Sequence, residues 1–421
     1  MNLKNFNLKD FNIKEIKKHF FLSQPHQPFF LLAFINALLS MFLFMLFFKG
    51  IIITEFSAKN YHAYSLIYLM FSPAFLAFLF TTFPRFSGVP AIPQKHFLPI
   101  FLLFLAGSIL FLLGAIFSPM LTVLAMITLL IAQLGAGNVL LSIYNASPMY
   151  PSEKTDQYWI LVAIAVGIVA HLLFILSIWF PSLHIFSVQL SIYLYLFLLT
   201  FTVGQRMIPF FSNAPIEKHT ERFRVIVGLL GLHVLLEMMQ PHSSFLTDFF
   251  LAYLIGKELH RWRLPFPNPN PLVWILHLGL FWIPVSFALS GITNIISLSS
   301  GLNFLYLDIH MLLLGFIFTL LIGFGTRVTL GHSGNKMEAD RLTTLLFYWT
   351  QVVVFMRILT SLALANGWNF FVFFDISITV WLVMFGIWGY RFFSVLIFGK
   401  QLEETKFREK EVREKEVKEE K

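Results

Sequence analysis

The chain has 421 residues, of which 57% are hydrophobic and 12% charged, with a formal net charge of +8. Soluble domains carry about 25% charged residues, so a soluble globular protein is excluded. The absence of cysteine excludes disulfides, thiolate metal sites, iron–sulfur clusters and covalently attached c-type haem, which leaves His, Met, Tyr, carboxylate or backbone oxygen as metal donors.

In chain order, residues 1–28 form a basic segment with a loose five-residue repeat, Asn2-Leu-Lys-Asn-Phe6 and Asn7-Leu-Lys-Asp-Phe11. Its lysines and spaced apolar residues suit an anionic membrane surface or a solvated tail. No small-residue cleavage site follows the first apolar run, so no removable signal peptide is expected. Residues 29–399 are read as an all-α polytopic membrane domain, one bundle of about twelve transmembrane helices. The spans fall at about 29–48, 62–83, 97–117, 119–143, 158–180, 184–204, 223–240, 243–259, 271–291, 303–325, 342–364 and 368–395. Residues 400–421 repeat Arg-Glu-Lys-Glu-Val and form a charged tail. The loop 205–224 is a candidate division into two halves, although no sequence repeat marks one.

The basic residues sit in alternate loops. Arg85 and Lys95; Lys154; Arg206, Lys218, Arg222 and Arg224; Lys257, Arg261 and Arg263; and Arg327, Lys336 and Arg341 fall on one side, against Lys49 and Lys59 on the other. This alternation places both termini in the cytoplasm and implies a multi-pass protein of the inner (cytoplasmic) membrane. The positive charge therefore reflects topology, and no nucleic-acid partner is expected; the partner is the lipid bilayer.

The organising stretch is residues 303–334. An apolar helix carries His310, and at helical spacing Gly315, Thr319, Gly323 and Thr326 share the opposite face. Small residues at that spacing admit a neighbouring helix closely, which makes this a central helix buried on both sides. It ends in a basic, glycine-punctuated loop with Arg327, Gly331, His332 and Gly334.

Thirteen histidines are sorted by depth, His171 lying mid-to-outer in the fifth span. His62 opens the second span at its outer end, and His310 lies about 10 Å in from the same side. Facing helices at similar depth suit two axial ligands of a non-covalent haem b; an interfacial His62 and a packed His310 are the alternatives. His233 shares a helix face with Glu237 one turn on, as metal ligand and orienting carboxylate or as a polar seam. Met238 and Met239 nearby keep copper open. His277 is a packed core histidine or a ligand. His332 is a ligand or part of a helix-ending loop, and Arg327 pairs with a haem propionate or an anion, or simply marks the cytoplasmic side. His19, His26, His96, His184, His219, His242 and His260 fall in tails or loops and are expected to be solvated. The carboxylates Asp308, Glu237, Asp248 and Asp375 all fall toward the outer side, so no inward relay of acids for proton pumping is expected.

The stretch Leu321-Ile-Gly-Phe-Gly-Thr-Arg327-Val-Thr-Leu-Gly331-His332-Ser-Gly334, with His310 upstream, resembles the closing motif of the NnrS family. Val273-Trp-Ile-Leu-His277-Leu-Gly, Gly204-Gln-Arg206-Met-Ile-Pro209-Phe-Phe211, Gln27-Pro-Phe-Phe30 and Phe78-Leu-Phe-Thr-Thr-Phe-Pro84-Arg-Phe-Ser-Gly88 are similar to further segments of that family, in the same order. The resemblance implies a haem- and copper-containing membrane protein of nitric oxide metabolism and nitrosative-stress resistance. Its partner would be nitric oxide or a related small molecule; neither the reaction nor the electron donor is indicated. The chain departs from the family at Tyr61-His62-Ala63-Tyr64, where a second histidine is usual, and at Gln27, where arginine is usual. The rival reading is a cofactor-free transporter whose histidines and outer acids line a path for metal ions or a small anion.

Overall fold

The computed structural model describes residues 20–54, 56–214, 220–400 and 402. Most of the basic N-terminal segment, residues 215–219 with Lys218 and His219, and nearly all of the charged tail lie outside the described residues. Twelve helices succeed one another: α1 His26–Phe48, α2 Ala58–Phe86, α3 Gln94–Phe117, α4 Pro119–Ala146, α5 Pro151–Leu176, α6 Leu183–Phe211, α7 Thr220–Met239, α8 Phe245–Arg261, α9 Pro271–Ser300, α10 Leu307–His332, α11 Arg341–Ala365 and α12 Phe370–Phe398. The described residues contain no strand. Ten of these helices are long and apolar enough to cross a membrane. The other two are α7, with Glu221, Arg222, Arg224 and Glu237, and α8, 17 residues long with Asp248, Lys257 and Glu258.

Local chemistry starts and stops the helices. Ser57, Ser118, Asn270 and Asp340 accept backbone N–H groups at the starts of α2, α4, α9 and α11, satisfying donors that the first turn leaves free. Pro119 and Pro271 occupy first-turn positions where no N–H is needed.

Three helices occupy the centre. In α2, α6 and α10, 94%, 72% and 83% of the apolar window is buried, against at most 56% in the other membrane-length helices. Each of the three carries a π-helical stretch, Ser65–Phe71, Leu190–Phe197 and Met311–Phe318. Each also ends on a serine, Ser87, Ser212 or Ser333, followed by a residue with positive φ, Gly88, Asn213 or Gly334. In all three the π stretch begins 22 residues before that serine (65 to 87, 190 to 212, 311 to 333).

The bundle is thus three consecutive four-helix units rather than two halves parted at 205–224. In each unit the first helix packs along the long second one, and the third and fourth pair with each other. The units meet at α4–α5 and α8–α9, and the ring closes where α12 packs on α1. The repeat extends to side chains on the face of the bundle where α1 begins and α12 ends, here called the terminal face. Arg206 of α6 lies over Phe86 at 4.6 Å, and Arg327 of α10 lies over Phe211 at 3.9 Å. Each arginine stands six residues before its own terminal serine, and each phenylalanine immediately precedes the neighbouring unit's serine.

The central position expected for α10 is thus observed, but its small-residue face is split. Gly315 and Gly323 press on Trp282, Ile275 and Leu276 of α9, close enough that an added Cβ would stand 2.6–2.7 Å from the nearest of them. Thr319 instead meets Gln351 of α11, and Thr326 accepts from Trp388 of α12. The π stretch adds a residue to the turn and rotates the rest of the helix, which a uniform 100° step does not anticipate.

Candidate functional site

All three central helices begin at the far face, opposite the terminal face, and two of them, α2 and α10, pair their histidines there. The His62 and His310 ring centres are 6.0 Å apart, with planes inclined by only 16°. Helix α10 starts at Leu307, so His310 sits in its first turn, directly before the π stretch and level with His62 in the first turns of α2. Phe44 lies 4.3 Å from the His62 ring and, with Phe48, Phe370 and Phe374, forms an apolar wall beside it.

His310 is oriented by its own backbone. Its Nδ1 is 2.7 Å from the Tyr306 carbonyl oxygen; a carbonyl can only accept, so Nδ1 carries the proton and Nε2 keeps a free lone pair. Leu305 and Tyr306 both have positive φ, 50° and 55°, a conformation unfavourable for side chains of this size. Arg357 of α11 steadies this turn by donating to the Leu305 carbonyl at 2.6 Å and to Ser361, with its guanidinium 3.2 Å from His310 Nδ1. The Nδ1 of His62 is buried and, among the described residues, has no hydrogen-bond partner. A transition metal binds imidazole nitrogen at about 2 Å, so one ion could be held by two imidazoles at this separation. Paired neutral imidazoles are donors that a haem iron would accept.

The remaining expected site residues lie elsewhere. His233 Nδ1 donates to Asp248 Oδ1 at 2.7 Å, both side chains being fully buried. Asp248 Oδ2 accepts from Ser290 at 2.8 Å and from Ser244 and Asn294 at 3.1 Å. Among the described residues the His233 Nε2 has no hydrogen-bond partner, and Tyr193 of α6 lies 4.0 Å away ring to ring. Glu237 does not bond His233; it accepts the backbone N–H groups of His242 and Ser244 and closes the α7–α8 turn. His277 is buried in the terminal half of α9, its Nε2 2.6 Å from Ser212 Oγ. His332 packs against His26, ring centres 4.9 Å apart.

Arg327 stands 17 residues beyond His310 on the same helix, about 25 Å away along its axis. It is packed on Phe211 and donates to the Leu272 carbonyl at 3.4 Å. It cannot reach a haem held by His62 and His310, and Arg357 is the cation beside that pair. A lone arginine inside an apolar span was the sequence signal for it.

Other expectations also shift. His26 is 2% exposed rather than solvated. Acids are not confined to the far face: Asp156 and Glu258 are buried toward the terminal face, held by Arg206 at 2.8 Å and Arg222 at 3.0 Å. These pairs line a cavity of about 260 Å³ with Trp159, Phe223 and Trp262. A further buried network joins three helices: Gln133 Oε1 accepts from His171 Nδ1 at 2.8 Å, and His171 Nε2 accepts from Tyr64 at 2.6 Å. Tyr64 thus occupies the second-histidine position of the resemblance and borrows an imidazole from α5.

These features define a polytopic helical membrane protein with paired imidazoles between two of its three central helices. The chain belongs to the NnrS protein family, whose model matches residues 20–398. That membership links it to nitric-oxide-related function. No curated protein matches the chain.

Proposed function

We propose that the protein holds a b-type haem between His62 and His310, with copper at separate donors, and acts on or binds nitric oxide in nitrosative-stress resistance. The observation that carries this reading is the near-parallel pair of imidazoles at 6.0 Å on facing helices, with His310 Nε2 left free by its backbone hydrogen bond. When bound, a haem would supply an iron that cycles between two oxidation states and could take nitric oxide in place of one of the two histidines. The chain's own part is orientation and exclusion. The Tyr306 carbonyl sets the His310 tautomer, and Arg357 steadies the turn and offers a positive charge to a propionate or other anion. The phenylalanines around His62 keep water from one side of the pair.

Purification in mild detergent tests the reading. The expected result is a Soret band that shifts on exposure to nitric oxide and is lost or displaced in His62→Ala and His310→Ala. A colourless, folded protein would instead favour a cofactor-free transporter.

A further inference from the structure

The threefold pattern at the terminal face is broken at one position. Two units close it with a phenylalanine under an arginine, Phe86 with Arg206 and Phe211 with Arg327. In the third, the residue before the terminal serine is His332, and Thr81 stands six residues before Ser87 where the other units carry arginine. The space against His332 is taken by His26, the first residue of α1. A packing contact used twice is therefore replaced once by two imidazoles.

Their geometry suits a shared ion. The ring centres are 4.9 Å apart with planes at 49°. Two imidazoles in neighbouring positions on one metal, bonded at about 2 Å, place their ring centres about 5 Å apart. His26 is 2% exposed, yet among the described residues its Nδ1 has no hydrogen-bond partner; a buried polar atom left so is unfavourable until something binds it. A third donor follows in the segment after α10. The Met337 sulfur lies against Gly331, 3.3 Å from where a Cβ there would stand. Gly331, next to His332, leaves that approach open.

Charge and donor type select the metal. Among the described residues no group of three His, Asp or Glu side chains comes together, and the positive charge of Arg85 bears on both rings. A hard divalent ion would want carboxylates here, whereas cuprous ion carries a single charge and favours imidazole and thioether.

We propose that His26, His332 and Met337 form a cuprous-ion site on the terminal face, away from the His62–His310 pair. This deepens the reading above by assigning the copper donors. It includes no redox step.

The test is an anaerobic competition of the purified full-length protein against bicinchoninate for Cu(I), with X-ray absorption on the loaded protein. One Cu(I) per chain is expected, with a nitrogen-plus-sulfur first shell. His26→Ala and His332→Ala should each weaken binding at least tenfold. Met337 is 39% exposed, so Met337→Leu should leave the fold intact while removing the sulfur scatterer. Failure to take up Cu(I), uptake unaffected by either histidine variant, or a sulfur signal that survives Met337→Leu would each overturn the assignment. Absorbance of the same samples reports the haem independently, so loss of the pigment and loss of the copper site are separate outcomes.

Discussion

The Tyr306 carbonyl oxygen stands 2.7 Å from His310 Nδ1, and the residue that offers it lies in the left-handed region of backbone space. The His310 imidazole is thus aimed by a turn whose two residues, Leu305 and Tyr306, resist that conformation. Arg357 from another helix holds the turn through the Leu305 carbonyl, and Lys59 of α2 donates to the Tyr306 hydroxyl. Replacing Arg357 by leucine leaves a carbonyl unpaired and the turn less supported. The expected loss is about 1–3 kcal/mol, read as a lowered thermal midpoint in detergent together with reduced pigment.

Arg327→Leu makes the opposite prediction for the pigment. Its guanidinium rests on Phe211 at the other end of α10, so this variant should lower stability through lost packing while the haem absorbance per folded protein stays unchanged. A matching loss of pigment in Arg327→Leu and Arg357→Leu would contradict the placement of the two arginines.

The His233–Asp248 pair is buried completely, and its carboxylate accepts three further hydrogen bonds. Removing one member of a buried ionic or charge-assisted pair costs about 3–5 kcal/mol, because the partners lose their counterpart in a medium without water. Asp248→Ala should therefore be among the least stable single variants. Asp248→Asn, which keeps an acceptor oxygen toward His233, should lie between it and wild type in thermal unfolding.

Glycine substitutions separate close packing from open helix surface. A Cβ on Gly114 would stand 2.5 Å from the Thr122 backbone nitrogen, which cannot move without opening the α3–α4 turn. Gly114→Ala should cost about 1–3 kcal/mol. Gly228 on α7 has nothing within 4 Å of that position, so Gly228→Ala should be neutral or stabilise by up to about 1 kcal/mol through helix propensity. Paired unfolding curves of the two variants check this.

Much of this architecture is legible in residue type. Apolar runs and alternating basic loops yield all twelve helices, and a histidine at matching depth in the second and tenth spans brings His62 and His310 together. The rest depends on contacts between helices. The repeat is hidden because only the terminal serine is identical in all three units, followed by Gly, Asn or Gly, while the π stretches that share their spacing have no residue signature. His26 looks like a loop histidine because it opens a helix, and only the packing of α1 on α10 buries it. Tyr64 reads as a lost histidine until His171 of α5 is seen to reach it. The face of α10 is misread past Met311 because a π turn changes the angular step.

The central claim is that His62 and His310 share one metal. Low-temperature electron paramagnetic resonance of the oxidised, purified protein tests it most directly. The predicted result is a low-spin ferric signal of two imidazole ligands that is lost or converted to high spin in both His62→Ala and His310→Ala. A haem signal identical in wild type and in both variants would contradict it.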